Sequence, residues 1–175
     1  TPFESLVRAV AHQQLHGKAA ETILGRFLAR FPGRRFPKAE DLESVTDADL
    51  RSCGFSGSKV AAIRDIAAKA MDGTVPTSRR IRTLSDDDIV ERLSACRGVG
   101  RWTVEMLLIF KLGRPDVLPI DDFGVREGFR VTYGLDLQPR PKELLAYGER
   151  WRPFRTTAAW YLWRAADAAK EAAKV

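Results

Sequence analysis

The chain has 175 residues, of which 45% are hydrophobic and 30% are charged. This composition suits one compact globular domain, or two small lobes, and excludes a wholly disordered chain. Charged residues interrupt every apolar stretch before it reaches the roughly 18 residues that a membrane span needs, so we expect no membrane partner. The first residues also lack the basic and apolar blocks of a secretory signal. Cys53 and Cys96 are too few for a disulfide scaffold or an iron–sulfur cluster.

The charge balance favours a partner that carries phosphate. Lys and Arg total 29 against 23 Asp and Glu, which gives a formal net charge of +6. Arginine supplies most of the positive charge, and its planar guanidinium can bind two phosphate oxygens at once. Because many basic proteins bind no nucleic acid, the charge alone allows such a partner without establishing it.

Helical periodicity runs along nearly the whole chain, and no segment has the alternating pattern of a strand. Thr1 is a typical N-cap, with Pro2 at the first helical position and Glu4 expected to close a capping box, and Ser85-x-x-Asp88 indicates the start of another helix. We therefore predict an all-α architecture of eight to ten short helices. The first helix begins at Pro2, and short pieces lie between residues 34 and 57. Apolar faces predict helices over Ala20–Phe31, Val60–Ala70 and Ile89–Cys96. Further helices are predicted over Trp102–Phe110, Phe123–Tyr133, Pro141–Trp151 and Phe154–Ala172.

The segment Leu93–Thr103 predicts two helices joined by Gly98-Val99-Gly100. Glycine tolerates positive φ and lets another backbone approach closely. The second helix would then point its free N–H groups and the positive end of its dipole outward, which favours a phosphate oxygen. On these residues alone, an ordinary packing corner between two helices is the simpler interpretation.

Four motifs together resemble one family. The hairpin residues Leu93-x-x-x-x-Gly98-Val99-Gly100-Arg101 resemble the helix-hairpin-helix element of DNA repair glycosylases, and Leu118–Val125 resembles the loop with an essential aspartate that completes their signature. Ala11–Leu15 and Glu149–Arg155 resemble a Gln-Gln-Leu segment and a Glu-Arg-Trp-x-Pro-aromatic-Arg block of 3-methyladenine glycosylases. These motifs follow in the right order over almost the whole chain. The chain is therefore similar to DNA-3-methyladenine glycosylase II, within the helix-hairpin-helix (HhH-GPD) DNA glycosylases.

The resemblance implies a single HhH-GPD domain over residues 1–175, with the hairpin at about 86–111 and a catalytic loop at about 113–122. Its helices would form two lobes that flank an active-site cleft. The enzyme would bind duplex DNA, flip a damaged nucleotide into the cleft, and hydrolyse the N-glycosidic bond of an N3- or N7-alkylated purine in base excision repair. No organic cofactor is implied.

The resemblance assigns catalysis to Asp122, whose distance in sequence from Trp102 fits the alkylation-repair branch of the family. An aspartate before a helix is more often only an N-cap, and Asp121 competes for either role. With the hairpin upstream, we predict that Asp122 is catalytic and that Asp121 is the cap or organises the loop. An ionised carboxylate beneath the sugar would stabilise its developing positive charge or orient the attacking water.

The resemblance places Trp102, Met106, Trp163 and Gln13 in the base pocket. Trp102 stands where bifunctional members of the superfamily carry the lysine that forms a Schiff base, so this chain is expected to stop at the abasic site and to lack lyase activity. Its ring could stack on an electron-poor alkylated purine, whereas an unremarkable tryptophan is more often a core residue. Trp163 carries the same two interpretations. Met106 replaces a tyrosine of some relatives.

The segment around Gln14 carries two further predictions. His12 and His16 are four residues apart on an expected helix, a spacing that two metal ligands can use, but no third ligand lies nearby in sequence and a solvated or DNA-facing surface is the better interpretation. An enzyme that flips a base must fill the hole in the stack, and the resemblance assigns that wedge to Gln14 or Leu15.

The resemblance also assigns two roles at the hairpin. Gly98, Val99, Gly100 and Arg101 would contact DNA phosphate. The backbone carbonyls of Ser94, Cys96 and Val99 would hold a Na⁺ or K⁺ ion that bridges to DNA, since hard alkali ions take carbonyl oxygens as ligands.

Two other functions remain open at this point. One is a non-enzymatic DNA-binding module that uses the hairpin only to hold phosphate. The other is a glycosylase for oxidised or mismatched bases, although those relatives usually carry the hairpin lysine or a cysteine cluster. For the enzyme we expect a monomer that acts on double-stranded DNA with alkylated bases. We expect it in the cytoplasm, at the nucleoid of a prokaryote, or in the nucleus of a eukaryote.

Overall fold

A computed structural model describes residues 1–173 of the chain, and over that range the regular secondary structure is helical. This confirms the all-α prediction. None of the helices in the same range is long and apolar enough to cross a membrane. The α-helices are α1 Pro2–His12, α2 Gly17–Ala29, α3 Asp47–Cys53, α4 Gly57–Met71, α5 Asp86–Ser94, α6 Arg101–Phe110, α7 Phe123–Thr132, α8 Pro141–Gly148 and α9 Arg155–Ala172, with 3₁₀ turns at Glu40–Ser44, Arg80–Thr83 and Glu149–Trp151.

Hydroxyl side chains begin several of these helices, as their sequences predict. The Thr1 hydroxyl accepts the Glu4 N–H at the start of α1. At α5, Ser85 and Asp88 form a capping box in which each side chain accepts the other residue's backbone N–H. Ser56 caps α4 in the simpler way, by accepting the N–H of Lys59. These bonds satisfy N–H groups that have no partner inside the helix.

The chain divides into two compact units, residues 1–104 and residues 105–175. In the first unit, α1 packs on α4 and α2, and α3 lies against α2 and α4. Its core contains a cluster of phenylalanine rings centred on Phe27, which contacts Phe31, Phe36 and Phe55 at ring-centroid distances of 5.3 to 6.0 Å. Burial of these large rings supplies much of the hydrophobic stabilisation of this unit.

The second unit is built on the pairing of α7 with α9. Gly128 of α7 permits this pairing, because a Cβ atom added there would lie 1.8 Å from the carbonyl oxygen of Leu162 in α9. The apolar core around this crossing consists of Leu118, Val125, Phe129, Leu144, Ala159 and Leu162, with Ile120, Tyr147, Trp151 and Trp163 packed against it. The start of α7 is thereby fixed against one face of α9.

Candidate active site

Asp122 is the N-cap of α7. Its Oδ1 atom accepts the backbone N–H of Val125 at 2.8 Å and the indole N–H of Trp163 at 2.7 Å. The prediction that Asp121 would be the cap is wrong, because the chain enters the helix one residue later and leaves Asp121 exposed. Catalysis and capping are compatible, since hydrogen bonds from two fixed N–H donors orient the carboxylate.

Trp163 reaches Asp122 because Gly124 leaves room for its indole. A Cβ atom on Gly124 would lie 2.8 Å from the Cδ1 atom of Trp163. The ring of Phe110, at the end of α6, stacks against Trp163 with centroids 5.8 Å apart. Phe110 is 62% exposed, so this aromatic face continues to the surface beside Asp122. Sequence reasoning missed Phe110, because its position in the helical pattern does not distinguish it from a core residue.

The loop before Asp122 is anchored to the start of α9. The guanidinium of Arg155 donates to both carboxylate oxygens of Asp116 at 2.7 and 3.0 Å, and Arg152 adds a contact at 2.8 Å. The hydroxyl of Thr156 accepts the Val117 N–H and donates to the carbonyl oxygen of the loop's Arg114. The Glu149–Arg155 block thus has a structural role, which is to hold the loop that ends in Asp122.

Asp116 is the electrostatic centre of this anchor. Burial would raise the pKa of its carboxyl group, but hydrogen bonds from Arg155 and the charges of Arg155 and Arg152 outweigh burial and hold that pKa below its usual range. The carboxylate is therefore charged and paired at neutral pH.

Two of the other predicted pocket residues, Trp102 and Met106, lie on α6. Trp102 is 49% exposed, which argues against the packed-core interpretation, and Met106 is half-buried four residues further on. Trp102 belongs to the first unit, whereas Met106, Asp122 and Trp163 belong to the second. The structure brings Asp122 and Trp163 together, and a common pocket that includes Trp102 stays a prediction.

The hairpin turn spans residues 95–100 between α5 and α6. Gly98 has a left-handed backbone with φ of +75°, and a Cβ atom there would lie 3.3 Å from that of Ala62. Gly100 does not have a positive φ, and a Cβ atom on it would meet nothing within 4 Å. The two glycines therefore serve different purposes: Gly98 shapes the turn, and Gly100 leaves its surface open just before Arg101 begins α6.

The predicted cation ligands lie at the end of α5, where Ser94 is the last residue, and in the same turn, which contains Cys96 and Val99. The carbonyl oxygen of Cys96 accepts the Val99 N–H at 3.1 Å, and the Ser94 hydroxyl oxygen is buried without a hydrogen-bond partner. Burial raises the pKa of the Cys96 thiol to about 11, so Cys96 could contribute a carbonyl but no thiolate at neutral pH. Residues 1–173 contain no cluster of His, Cys, Asp and Glu side chains suited to a metal ion.

The turn between α1 and α2 spans residues 13–16 and places His12 and His16 on different elements. His12 ends α1 and lies 3.1 Å from the carboxylate of Glu21, whereas His16 is the N-cap of α2. The prediction that both lie on one helix is wrong, because Gln13 takes an extended ψ of 130° and interrupts the helix between them. The pair of histidines is therefore not a helical metal motif.

The same turn presents Gln14 and Leu15 to solvent. Gln14 is exposed with φ of +56°, and Leu15 is 39% exposed. Gln13 behaves differently, since its side-chain amide donates to the carbonyl oxygen of Gly98 at 2.9 Å. We call residues 13–16 the wedge turn, after the predicted role of Gln14 or Leu15. The structure joins this turn to the hairpin through Gln13, whose assignment to the base pocket stays a prediction.

Comparison with known proteins places this geometry in context. DNA-3-methyladenine glycosylase 1 of Schizosaccharomyces pombe is 44% identical over 163 residues, a match that covers 93% of this chain and 72% of that protein. The structure of the S. pombe 3-methyladenine DNA glycosylase in complex with abasic DNA superposes with a TM-score of 0.79 over 93% of this chain and 79% of that one. A DNA-3-methyladenine glycosidase from Bacillus halodurans gives a TM-score of 0.88 at 36% identity and covers 98% and 78% of the two chains.

The family model for the HhH-GPD superfamily of base excision DNA repair proteins matches residues 7–153. That range contains the wedge turn, the hairpin and the loop that ends in Asp122, and it ends within the block that anchors the loop. The chain belongs to the HhH-GPD superfamily of base excision DNA repair proteins.

Proposed function

We propose that this chain is a monofunctional DNA glycosylase that excises N3- and N7-alkylated purines from duplex DNA. The observation that carries the proposal is the carboxylate of Asp122, which is held at the start of α7 by the Val125 N–H and the Trp163 indole N–H. The substrate class is supported by the relatives, which bear the names of 3-methyladenine glycosylases.

The chemistry needs one fixed negative charge. When the bond to the base breaks, positive charge develops on the sugar, and the Asp122 carboxylate stabilises that charge or orients the attacking water. An alkylated purine carries positive charge itself and is a good leaving group, so little acid catalysis is required. Trp163 and Val125 hold the carboxylate in one orientation, and no organic cofactor takes part.

Recognition of the base depends on aromatic surface. The exposed ring of Trp102 would stack on the flipped, electron-poor purine, with Met106 completing the pocket. Phe110 and Trp163 provide a second aromatic face next to Asp122. Because Trp102 supplies no amine, the expected product is an intact strand with an abasic site.

DNA would be bound at the hairpin and at the wedge turn. The open surface at Gly100 and the N-terminus of α6 would receive a phosphate, and the carbonyls of Ser94, Cys96 and Val99 would hold an alkali cation between the turn and that phosphate. The buried, unpartnered Ser94 hydroxyl marks a polar position beside this carbonyl set. Gln14 or Leu15 would fill the space that the flipped nucleotide leaves.

The partner that we propose is double-stranded DNA with alkylated bases, bound by a monomer. The compartment follows from this partner, as the protein would act wherever the chromosome lies, at the nucleoid of a prokaryote or in the nucleus of a eukaryote.

The test is base excision by Asp122→Asn on methylated duplex DNA. Asparagine caps a helix about as well as aspartate, so the variant is expected to fold and to bind DNA. Loss of the charge should lower the single-turnover excision rate on the order of 10² to 10³-fold, the usual effect of removing one preorganised electrostatic group. The control is Asp121→Asn, which removes an exposed neighbouring carboxylate and should have a milder effect.

The same reactions decide between the remaining functions. Borohydride should trap no covalent protein–DNA adduct, and strands should break only after alkali. Efficient trapping would reveal an amine nucleophile and refute monofunctional hydrolysis. Near-normal excision by Asp122→Asn would remove Asp122 from the chemistry, and a wild-type protein that binds DNA without releasing any base would favour the non-enzymatic module.

A further inference from the structure

Helix α4 contacts both of the turns that are proposed to bind DNA. The ammonium group of Lys59 donates to the carbonyl oxygens of Ala11 at 2.7 Å and Gln13 at 2.8 Å, at the end of α1. Six residues further on, the carboxylate of Asp65 accepts the backbone N–H of Arg97 at 2.7 Å in the hairpin turn. Two side chains of a single helix, six residues apart, therefore contact the wedge turn and the hairpin.

The wedge turn has a backbone that needs such support. Gln14 is the one non-glycine residue with positive φ within residues 1–173. Side chains other than glycine, asparagine and aspartate are disfavoured in the left-handed region, because their Cβ atom crowds the backbone. The neighbouring residues must therefore stabilise this conformation, and residue 13 does so through both its backbone and its side chain.

Lys59 is suited to this purpose. It is half-buried, and burial lowers the pKa of its ammonium group, yet it remains directed at two carbonyl oxygens that the end of a helix leaves without helical partners. On the other side of the turn, the Gln13 amide donates to the Gly98 carbonyl. The turn is thus held from α4 on one side and from the hairpin on the other.

We propose that Lys59 is a positioning residue for lesion recognition, which holds the turn at residues 13–16 so that Gln14 or Leu15 enters the duplex while the hairpin holds the phosphate backbone. This inference rests on the proposed function, because it takes Gln14 or Leu15 as the wedge. Lys59 acts through the carbonyl groups of Ala11 and Gln13 and makes no contact with DNA itself.

The experiment compares Lys59→Met with wild type in binding to two duplexes, one with a tetrahydrofuran abasic-site analogue and one undamaged. Methionine keeps much of the aliphatic length of lysine and removes the three N–H donors. We expect affinity for the abasic duplex to fall about tenfold, the order expected when hydrogen bonds from a charged donor are lost. Affinity for undamaged DNA and its dependence on salt should stay within twofold of wild type.

Two control variants accompany this comparison. Lys38→Met removes one positive charge from an exposed position of the same unit and should change neither affinity. Lys59→Arg retains a donor that can reach carbonyl oxygens and should recover part of the discrimination between the two duplexes. Hydrogen–deuterium exchange of residues 12–16 in the free protein measures the turn without any DNA. Exchange there should be faster in Lys59→Met than in wild type.

Each outcome bears on the proposal. A parallel loss of affinity for both duplexes, with the salt dependence reduced by about one phosphate contact, would make Lys59 a direct phosphate ligand and refute the positioning role. Unchanged exchange at residues 12–16, or a lower melting temperature with unchanged discrimination, would also refute it. If wild type discriminates between the duplexes and Lys59→Met does not, while neither excises methylated bases, the positioning role stands and the proposed substrate fails.

Discussion

Replacing Trp163 by phenylalanine removes the indole N–H that donates a hydrogen bond to Asp122 and keeps an aromatic ring in place. The bond that is lost joins the indole Nε1 atom to the Asp122 Oδ1 atom over 2.7 Å, and the Val125 N–H still donates to this oxygen. A hydrogen bond to a charged group contributes about 1.5 to 3 kcal/mol. If that stabilisation serves to orient the carboxylate in the transition state, the excision rate should fall about 10- to 150-fold.

A double-mutant cycle tests whether Trp163 acts through Asp122. Single-turnover excision is measured for wild type, Trp163→Phe, Asp122→Asn and the double variant on the same methylated duplex. The two substitutions should be non-additive, because the indole has no carboxylate to orient once Asp122 is asparagine. Trp160→Phe is the matched control, since Trp160 lies on the same helix, is 51% exposed and packs against Tyr161. An equal rate loss from Trp163→Phe in both backgrounds would refute a role through Asp122.

The remaining predictions concern the hairpin, the loop anchor and the base pocket. Gly100→Val should keep the melting temperature of wild type but weaken binding to damaged and undamaged DNA alike. Gly98→Val should weaken binding in the same way and also lose about 1–2 kcal/mol of stability, because valine is disfavoured at a left-handed backbone. A folded Gly100→Val protein with normal affinity would place the hairpin outside the interface. The pKa of Asp116 is lower in the folded than in the unfolded protein, so its contribution to stability is complete above the unfolded pKa of about 4 and is lost as pH falls through the folded pKa. In chemical denaturation, the free energy of unfolding of Asp116→Asn should therefore depend less steeply on pH in the acid range than that of wild type. An unchanged acid dependence would exclude the Arg155 pair as a stabilising contact. Trp102→Ala should lower excision of alkylated purines about 5- to 150-fold, from the roughly 1–3 kcal/mol that stacking contributes per base, and full activity would remove Trp102 from the pocket.

Local patterns in the sequence were sufficient for the secondary structure. Apolar residues at helical spacing predicted the faces of α2 and α4, and Ser85 with Asp88 predicted the start of α5 through a bond between residues three apart. Such features can be read from sequence because every partner lies within one helical turn. The expected helix through His12 and His16 was wrong, since the interruption at Gln13 involves a distant carbonyl, that of Gly98, and an ammonium group on α4.

The candidate site likewise has some features that the sequence predicts and others that only the tertiary structure reveals. The sequence by itself determined the hairpin, the candidate aspartate and the absence of a lysine at Trp102, because each is a matter of residue type at a given position. Only the tertiary structure decided that Asp122 rather than Asp121 caps α7, that Trp163 donates to its carboxylate, and that Arg155 holds Asp116. The contacts of Trp163 with Asp122 and of Arg155 with Asp116 join residues 41 and 39 positions apart in the chain. They depend on how closely α7 and α9 pack at Gly124 and Gly128, which no local pattern specifies.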